Sequence, residues 1–212
     1  MTHWLESLLT MDELNSFANY AYNNPEYSYP TFNETTFLEA ENLGHPLIFN
    51  KTRVRNYLRA SAIEKVIVLT GANMSGKSTF LRTIGINLVL AYSGAPVYAT
   101  KLTCSNGLKL YTSMRVTDSL AQDTSYFYVE LKRLSAIVHS LRDGAKILIL
   151  LDEILKGTNS EDKLQGSIGL IEEFLQHDCL CVIATHGLSL GELENKFRGQ
   201  VNTDFLPSAN AR

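Results

Sequence analysis

The stretch VIVLTGANMSGKSTFLRTIG, residues 66–85, constrains this chain more than any other. An apolar run enters a glycine-rich turn that satisfies G-x-x-x-x-G-K-[ST] at Gly71, Gly76, Lys77 and Ser78, and a helical pattern leaves it. Strand, loop and helix in that order suit one task well. The glycines let backbone N–H groups curl around an anion, and the helix turns its positive end toward it. The residues Gly71, Ala72, Asn73, Met74, Ser75, Gly76, Lys77, Ser78 and Thr79 are therefore the candidate cradle for the phosphates of a nucleotide. Lys77 would neutralise the β/γ-phosphate charge, and the Ser78 hydroxyl would ligate Mg²⁺. A strand-to-helix turn with glycines for conformation alone gives no reason for a Lys-Ser pair at the helix start.

A loop of this kind needs a carboxylate at the end of another strand, to hold the metal and to orient water. KILILLDE supplies it: Asp152 is the candidate metal ligand, together with Ser78, and Glu153 the candidate general base or water-positioning group. His186, in VIATH, also follows an apolar run directly and could donate a hydrogen bond to a γ-phosphate. His3, His139 and His177 have no such placement.

Beyond about residue 38, strand-like runs (KVIVLT, AKILILLDE, CLCVIATH) alternate with helix-like ones (GKSTFLRTIGINLVLAYSG, SYFYVELKRLSAIVHSLRDG, KLQGSIGLIEEFLQH). The alternation predicts an α/β fold with a mainly parallel central sheet flanked by helices, and the glycine loop makes it a P-loop NTPase. KILILLD is apolar at consecutive positions, as a strand covered on both faces should be. Ahead of this lies a short N-terminal helix, with Trp4, Leu8, Met11, Leu14, Phe17, Ala18 and Ala21 at three- and four-residue steps, expected to pack on another element. The proline-bearing NNPEYSYPTFNETTF reads as an extended connector. The expected division is thus 1–37, helix and connector, and 38–212, the nucleotide-binding domain. The final stretch, FRGQVNTDFLPSANAR, shows no further strand pattern.

The 212 residues carry a net charge of -3, so no overall basic field grips nucleic acid. The N-terminus is broken by Glu6, Asp12 and Glu13, and no run approaches the roughly 18 apolar residues of a membrane span. A cytoplasmic chain is expected. Its three cysteines fit that compartment: Cys104 is isolated, and the Cys179-x-Cys181 pair lacks the second pair or histidine that a zinc site requires. All three are expected to pack as small apolar residues.

Several separate motifs resemble the ATPase domain of the MutS family of DNA mismatch-repair proteins, a branch related to the ABC-type ATPases. TGANMSGKST is similar to the family's T-G-x-N-M-x-G-K-S-T loop, in which the Asn73-Met74 pair is far more specific than the generic pattern. LLDEILKGTNSED resembles D-E-x-x-x-G-T-[ST]-x-x-[DE], with Gly157 and Thr158 in the loop. ATHGLSL resembles the A-T-H segment, and GHPLI, with His45 and Pro46, the H-P element that opens the domain. DSLAQDTSYFYVEL is similar to D-[DS]-L…S-x-F-x-x-E-[ML], so that Ser125, Phe127 and Glu130 match. The likeness spans roughly residues 38–195. Ser75 stands where the family usually has Gly, Tyr126 where it has Thr, and GTNS replaces GTST, which suggests a divergent branch; the further upstream domains that family members carry could not fit in the first 37 residues, so a piece of a larger protein is expected.

The resemblance implies a homodimer with composite ATP sites, in which Ser125 of one chain closes over ATP held by the other. It places Lys77, Glu153, His186 and Ser125 in the catalytic set, with DNA bound through regions absent from this chain. For adenine it leaves Phe49 and Tyr57 open, with Asn56 nearby. Two readings from other classes stand beside it: a nucleotide-gated interaction module with little turnover, and a P-loop small-molecule kinase.

Overall fold

A computed structural model describes residues 2–48, 54–72, 75–114, 126–155, 160–185, 193 and 196–205. Its central sheet is wholly parallel, built from β4 (Val66–Thr70), β6 (Lys109–Ser113), β7 (Ile147–Asp152), β8 (Cys179–Ala184) and β9 (Val201–Phe205) in the order β6-β7-β8-β4-β9. A second sheet, in the order β1-β5-β2-β3, holds β1 (Thr31–Asn33), β2 (Phe37–Leu43), β3 (Asn56–Ser61) and β5 (Lys101–Ser105). There β2 runs antiparallel to both neighbours and β1 parallel to β5.

Strand period accounts for the layering. Along β4, Ile67 and Leu69 turn to one face with Leu148 and Leu150 of β7 and Val182 of β8. Val66 and Val68 turn to the other with Ile147, Ile149, Leu151, Cys181 and Ile183. The first face meets α2 (Lys77–Tyr92) through Phe80, Leu81, Ile84 and Leu88, and the same core continues into Leu38, Ala40, Leu58, Ala60 and Leu102 of the second sheet. The second face meets Leu134, Ile137 and Leu141 of α3 (Tyr126–Arg142) and Ile168, Ile171 and Phe174 of α4 (Ser160–Leu175). Each such aliphatic side chain taken out of water contributes about 1.5–3 kcal/mol, which is why β7 and β8, buried at every position, anchor the sheet. Lys65, just before β4, donates from Nζ to the carbonyls of Leu175 and His177 at 3.1 and 2.8 Å, tying the C-terminal end of α4 to the sheet.

Three expectations need correction. The tail does contain a strand: β9 pairs with β4 from Val66↔Val201 to Thr70↔Phe205. Of its residues only Val201 is buried among those described, so VNTDF lacks the apolar run that marks an inner strand. The stretch read as a connector contributes β1 and the bridge between Ser28 and Val97. The N-terminal helix forms, as α1 (Thr2–Asn23), yet residues 3–16 are all exposed, Trp4 by 79% and Met11 by 71%. Its apolar side chains include Leu5 and Leu9 off the expected stripe, and no described element covers either set.

Candidate active site

The C-terminal ends of β4, β7 and β8 form one rim of the parallel sheet, where Leu69 and Asp152 both register with Ala184 of the strand between them. Strand ends in a parallel sheet put their outgoing loops on the same side. Two backbone bonds stitch the rim: Glu153 N–H donates to the Ala184 carbonyl at 2.8 Å, and Thr185 N–H to that of Leu69 at 3.1 Å.

β4 ends in the glycine-rich loop, and α2 begins directly after Gly76, whose φ of 93° lies in the left-handed region open to glycine. Gly71 also has positive φ, at 145°. The first helical bond runs from Phe80 N–H to the Gly76 carbonyl at 2.8 Å, leaving the earlier N–H groups of the turn directed out of the helix start. Among the described residues no side chain caps that end.

Lys77 is 5% exposed and its Nζ donates to the carbonyls of Gly71 at 2.7 Å and Ala72 at 2.9 Å, with Ser75 Oγ at 3.4 Å. Burial pulls its pKa below the ordinary lysine value, while the Glu153 and Asp152 carboxylates act in the opposite direction. The structure thus brings Lys77 into the electrostatic reach of both predicted carboxylates. Ser78, the second residue of α2, is half-buried and Thr79 exposed.

Asp152 closes β7 at 6% exposure, and its Oδ2 is buried with no hydrogen-bond partner among the described residues. A buried carboxylate oxygen without a donor is costly unless something else satisfies it. Mg²⁺ suits this donor set: it prefers oxygen ligands and is commonly held by one or two protein oxygens plus substrate phosphates. Among the described residues no group of three or more His, Cys, Asp or Glu could hold a metal ion.

The turn after β7 is unusual. Glu153 and Leu155 both have φ of 56°, a left-handed conformation that costs an L-residue about 1–2 kcal/mol each. The Leu155 N–H donates to Oε1 of Glu130 at 2.8 Å, a carboxylate 5% exposed on α3. Glu130 entered the sequence reading only as part of a motif, and Leu155 not at all. A buried acid inside the otherwise amphipathic YFYVELKRLSAIV was the available signal.

Asn73, Met74, Ser125, His186, Gly157, Thr158 and Phe49 lie outside the described residues. Tyr57 is 56% exposed on β3 and donates to Glu39 Oε1 at 3.1 Å, and Asn56 opens the same strand. His45 Nδ1 accepts the Leu47 N–H at 3.2 Å. Cys104, Cys179 and Cys181 are buried free thiols, as expected.

A family model described as MutS domain V matches residues 67–209 of the chain. Among curated proteins, the DNA mismatch repair protein MutS of Thermotoga sp. (strain RQ2) is 35% identical over 205 residues, covering 95% of this chain and 25% of the relative. That of Thermotoga neapolitana is 35% identical over 209 residues, 95% and 26% of the two chains. That of Pseudothermotoga lettingae is 32% identical over 201 residues, 93% and 24%. The chain spans about a quarter of the length of these relatives.

Proposed function

Because this chain belongs to the MutS family, carrying its domain V, we propose that it is an Mg²⁺-dependent ATPase and dimerisation domain of a MutS-like protein that serves DNA mismatch repair or binds another DNA structure. The observation that carries the reading is Lys77. A buried ammonium sits at the start of α2, bonded to the carbonyls of its own loop and within the field of Asp152 and Glu153. That placement has little structural value, since it buries a charge, and suits a ligand that brings negative charge to the same spot.

On this reading ATP binds with its phosphates in the loop of Gly71 to Thr79, and Lys77 exchanges loop carbonyls for β/γ oxygens. Asp152 and Ser78 hold Mg²⁺, which neutralises charge on the transferring phosphoryl group. Glu153, fixed at the rim by the Ala184 carbonyl, aligns a water and takes its proton. The water oxygen bonds to the γ-phosphorus, the bond from that phosphorus to the β–γ bridging oxygen breaks, and ADP leaves with the electron pair. Most of the rate comes from positioning and charge rather than covalent chemistry.

Two further parts belong to the proposal through the family. Ser125 of a second copy closes over the γ-phosphate, making the pair of sites composite in an ABC-type head-to-tail homodimer, and His186 senses that phosphate. DNA contacts come from regions outside this chain, whose net charge of -3 supplies no basic field. Cytoplasmic placement is also proposed; among the described residues no helix is long and apolar enough to cross a membrane. A nucleotide-gated module with little turnover would suit the loop equally, but would give Glu153 no task.

The test is specific ATPase activity against protein concentration, with Glu153→Gln as the blank. Activity per molecule should rise with concentration, and mixing Lys77→Ala with Ser125→Ala should restore one competent site per heterodimer. Turnover no higher than the blank, with ATP still bound, would replace the hydrolase reading by the gated module.

A further inference from the structure

The turn that presents Glu153 is left-handed at two non-glycine positions, and a conformation of that kind persists only where its surroundings hold it. Three elements do so. From β8, the Ala184 carbonyl accepts the Glu153 N–H. From α3, buried Glu130 accepts the Leu155 N–H through Oε1 at 2.8 Å. From α4, Gly166 lies so close that a Cβ there would stand 2.5 Å from Leu155 Cδ1, so the absence of a side chain makes room for the leucine.

We infer that Glu130 is a positioning residue for hydrolysis: by gripping the Leu155 amide it fixes the turn that sets the direction of the Glu153 carboxylate. This rests on the proposed ATPase reading and assigns Glu130 a task within that site. A buried carboxylate is a poor choice for mere packing, since an apolar residue of similar volume would cost no desolvation there. As an acceptor it is well suited, because the amide of a left-handed residue leaving a strand has no ladder partner to turn to. Glu130 belongs to α3, which packs on the face of the sheet opposite α2, and its Oε1 bond goes to the turn after β7 rather than to Lys77 or Ser78, so the expected loss falls on the chemical step. Misdirection of a water-aligning group by about 1 Å lowers a rate roughly 100-fold.

The experiment compares wild type, Glu130→Ala, Glu130→Gln and Glu153→Gln in the full chain. Four quantities are read: ATP turnover, the dissociation constant of a fluorescent ATP analogue, thermal stability, and amide hydrogen exchange by NMR. Glu130→Ala should lower kcat at least about tenfold with nucleotide affinity within about twofold. The Leu155 amide should exchange about tenfold faster or more, while the amides of β7 keep their protection. Glu130→Gln, which retains the Oε1 acceptor, should recover most of both losses. The inference is overturned if the alanine variant turns ATP over like wild type, if its Leu155 amide is unchanged, or if affinity and thermal stability fall together without rescue by glutamine. Wild-type turnover equal to that of Glu153→Gln is a separate result: it overturns the ATPase reading itself, and the positioning role with it.

Discussion

Lys77 shows how a side chain suited to a ligand can work against the fold that carries it. Its pKa is depressed chiefly by burial. Between the folded and unfolded values the unfolded chain holds the extra proton, so stability rises with pH through that window, whereas below the folded value the buried charge is a constant cost. Lys77→Met should therefore raise the melting temperature of the nucleotide-free chain near neutrality. That gain should shrink as pH climbs through the Lys77 pKa, while ATP no longer stabilises the variant at any pH. Thermal melts across a pH series, with and without ATP, check both signs; a melting temperature lowered by the substitution counts against them. The thiols offer a second residue-scale check. Burial pushes Cys104 up to about 11 and Cys179 to about 12, and Cys181 well above its ordinary value. Iodoacetamide at mildly alkaline pH should leave all three unmodified in the native chain and label all three in denaturant, as read by mass spectrometry. At this scale the sequence was most legible where chemistry demands a fixed spacing: Gly76, Lys77, Ser78 and the Asp152-Glu153 pair fall where their pattern placed them along the strands and helix. The bond between Glu130 and Leu155 was not legible, because a contact between residues 25 positions apart leaves no local trace.

Among the elements, β4, β7 and β8 could be read directly, since burial on both faces writes an unbroken apolar run. The second sheet was missed although its signal is present: in FLEAENL the buried Leu38 and Ala40 alternate with Glu39 and Glu41, the mark of a strand with one wet face. β9 was missed for the opposite reason, being an edge strand with little apolar content. α4 allows a prediction about shape. Gly166→Ala places a methyl 2.5 Å from Leu155 Cδ1, so the leucine side chain must shift. We expect a loss of about 1–3 kcal/mol by denaturant titration and reduced ATP turnover, because the side chain that moves belongs to the Glu153 turn. α1 allows one about absence of packing. With residues 3–16 all exposed, removing them should leave the melting temperature nearly unchanged by calorimetry. A large drop would mean that α1 is covered in solution.

Across the whole molecule, one sheet serves two cores. Alternate residues of β4 and β7 feed the layer shared with α2 and the second sheet, and the layer shared with α3 and α4. The helix that starts at the glycine loop and the helix that carries Glu130 therefore lie on opposite faces of the sheet, joined through the strands whose ends hold the site. Cutting the chain before Val201 should broaden the unfolding transition and weaken ATP binding together, because β4 then loses the strand that flanks it along Val66 to Thr70. Retained affinity would show that β9 only covers an edge.

The position of β4 between β8 and β9 also bears on how the protein is made. On the ribosome, the strand that leads into the loop emerges before both of its partners, which are translated long after it. Pairings of such wide sequence separation form late and slowly. The unfinished chain must therefore carry VIVLT without a ladder, as an aggregation-prone segment in need of shelter. Acquisition of the loop's final shape then waits on strands translated after it, so that a ligand seated in the loop would report less on the loop itself than on whether β8 and β9 have joined the sheet.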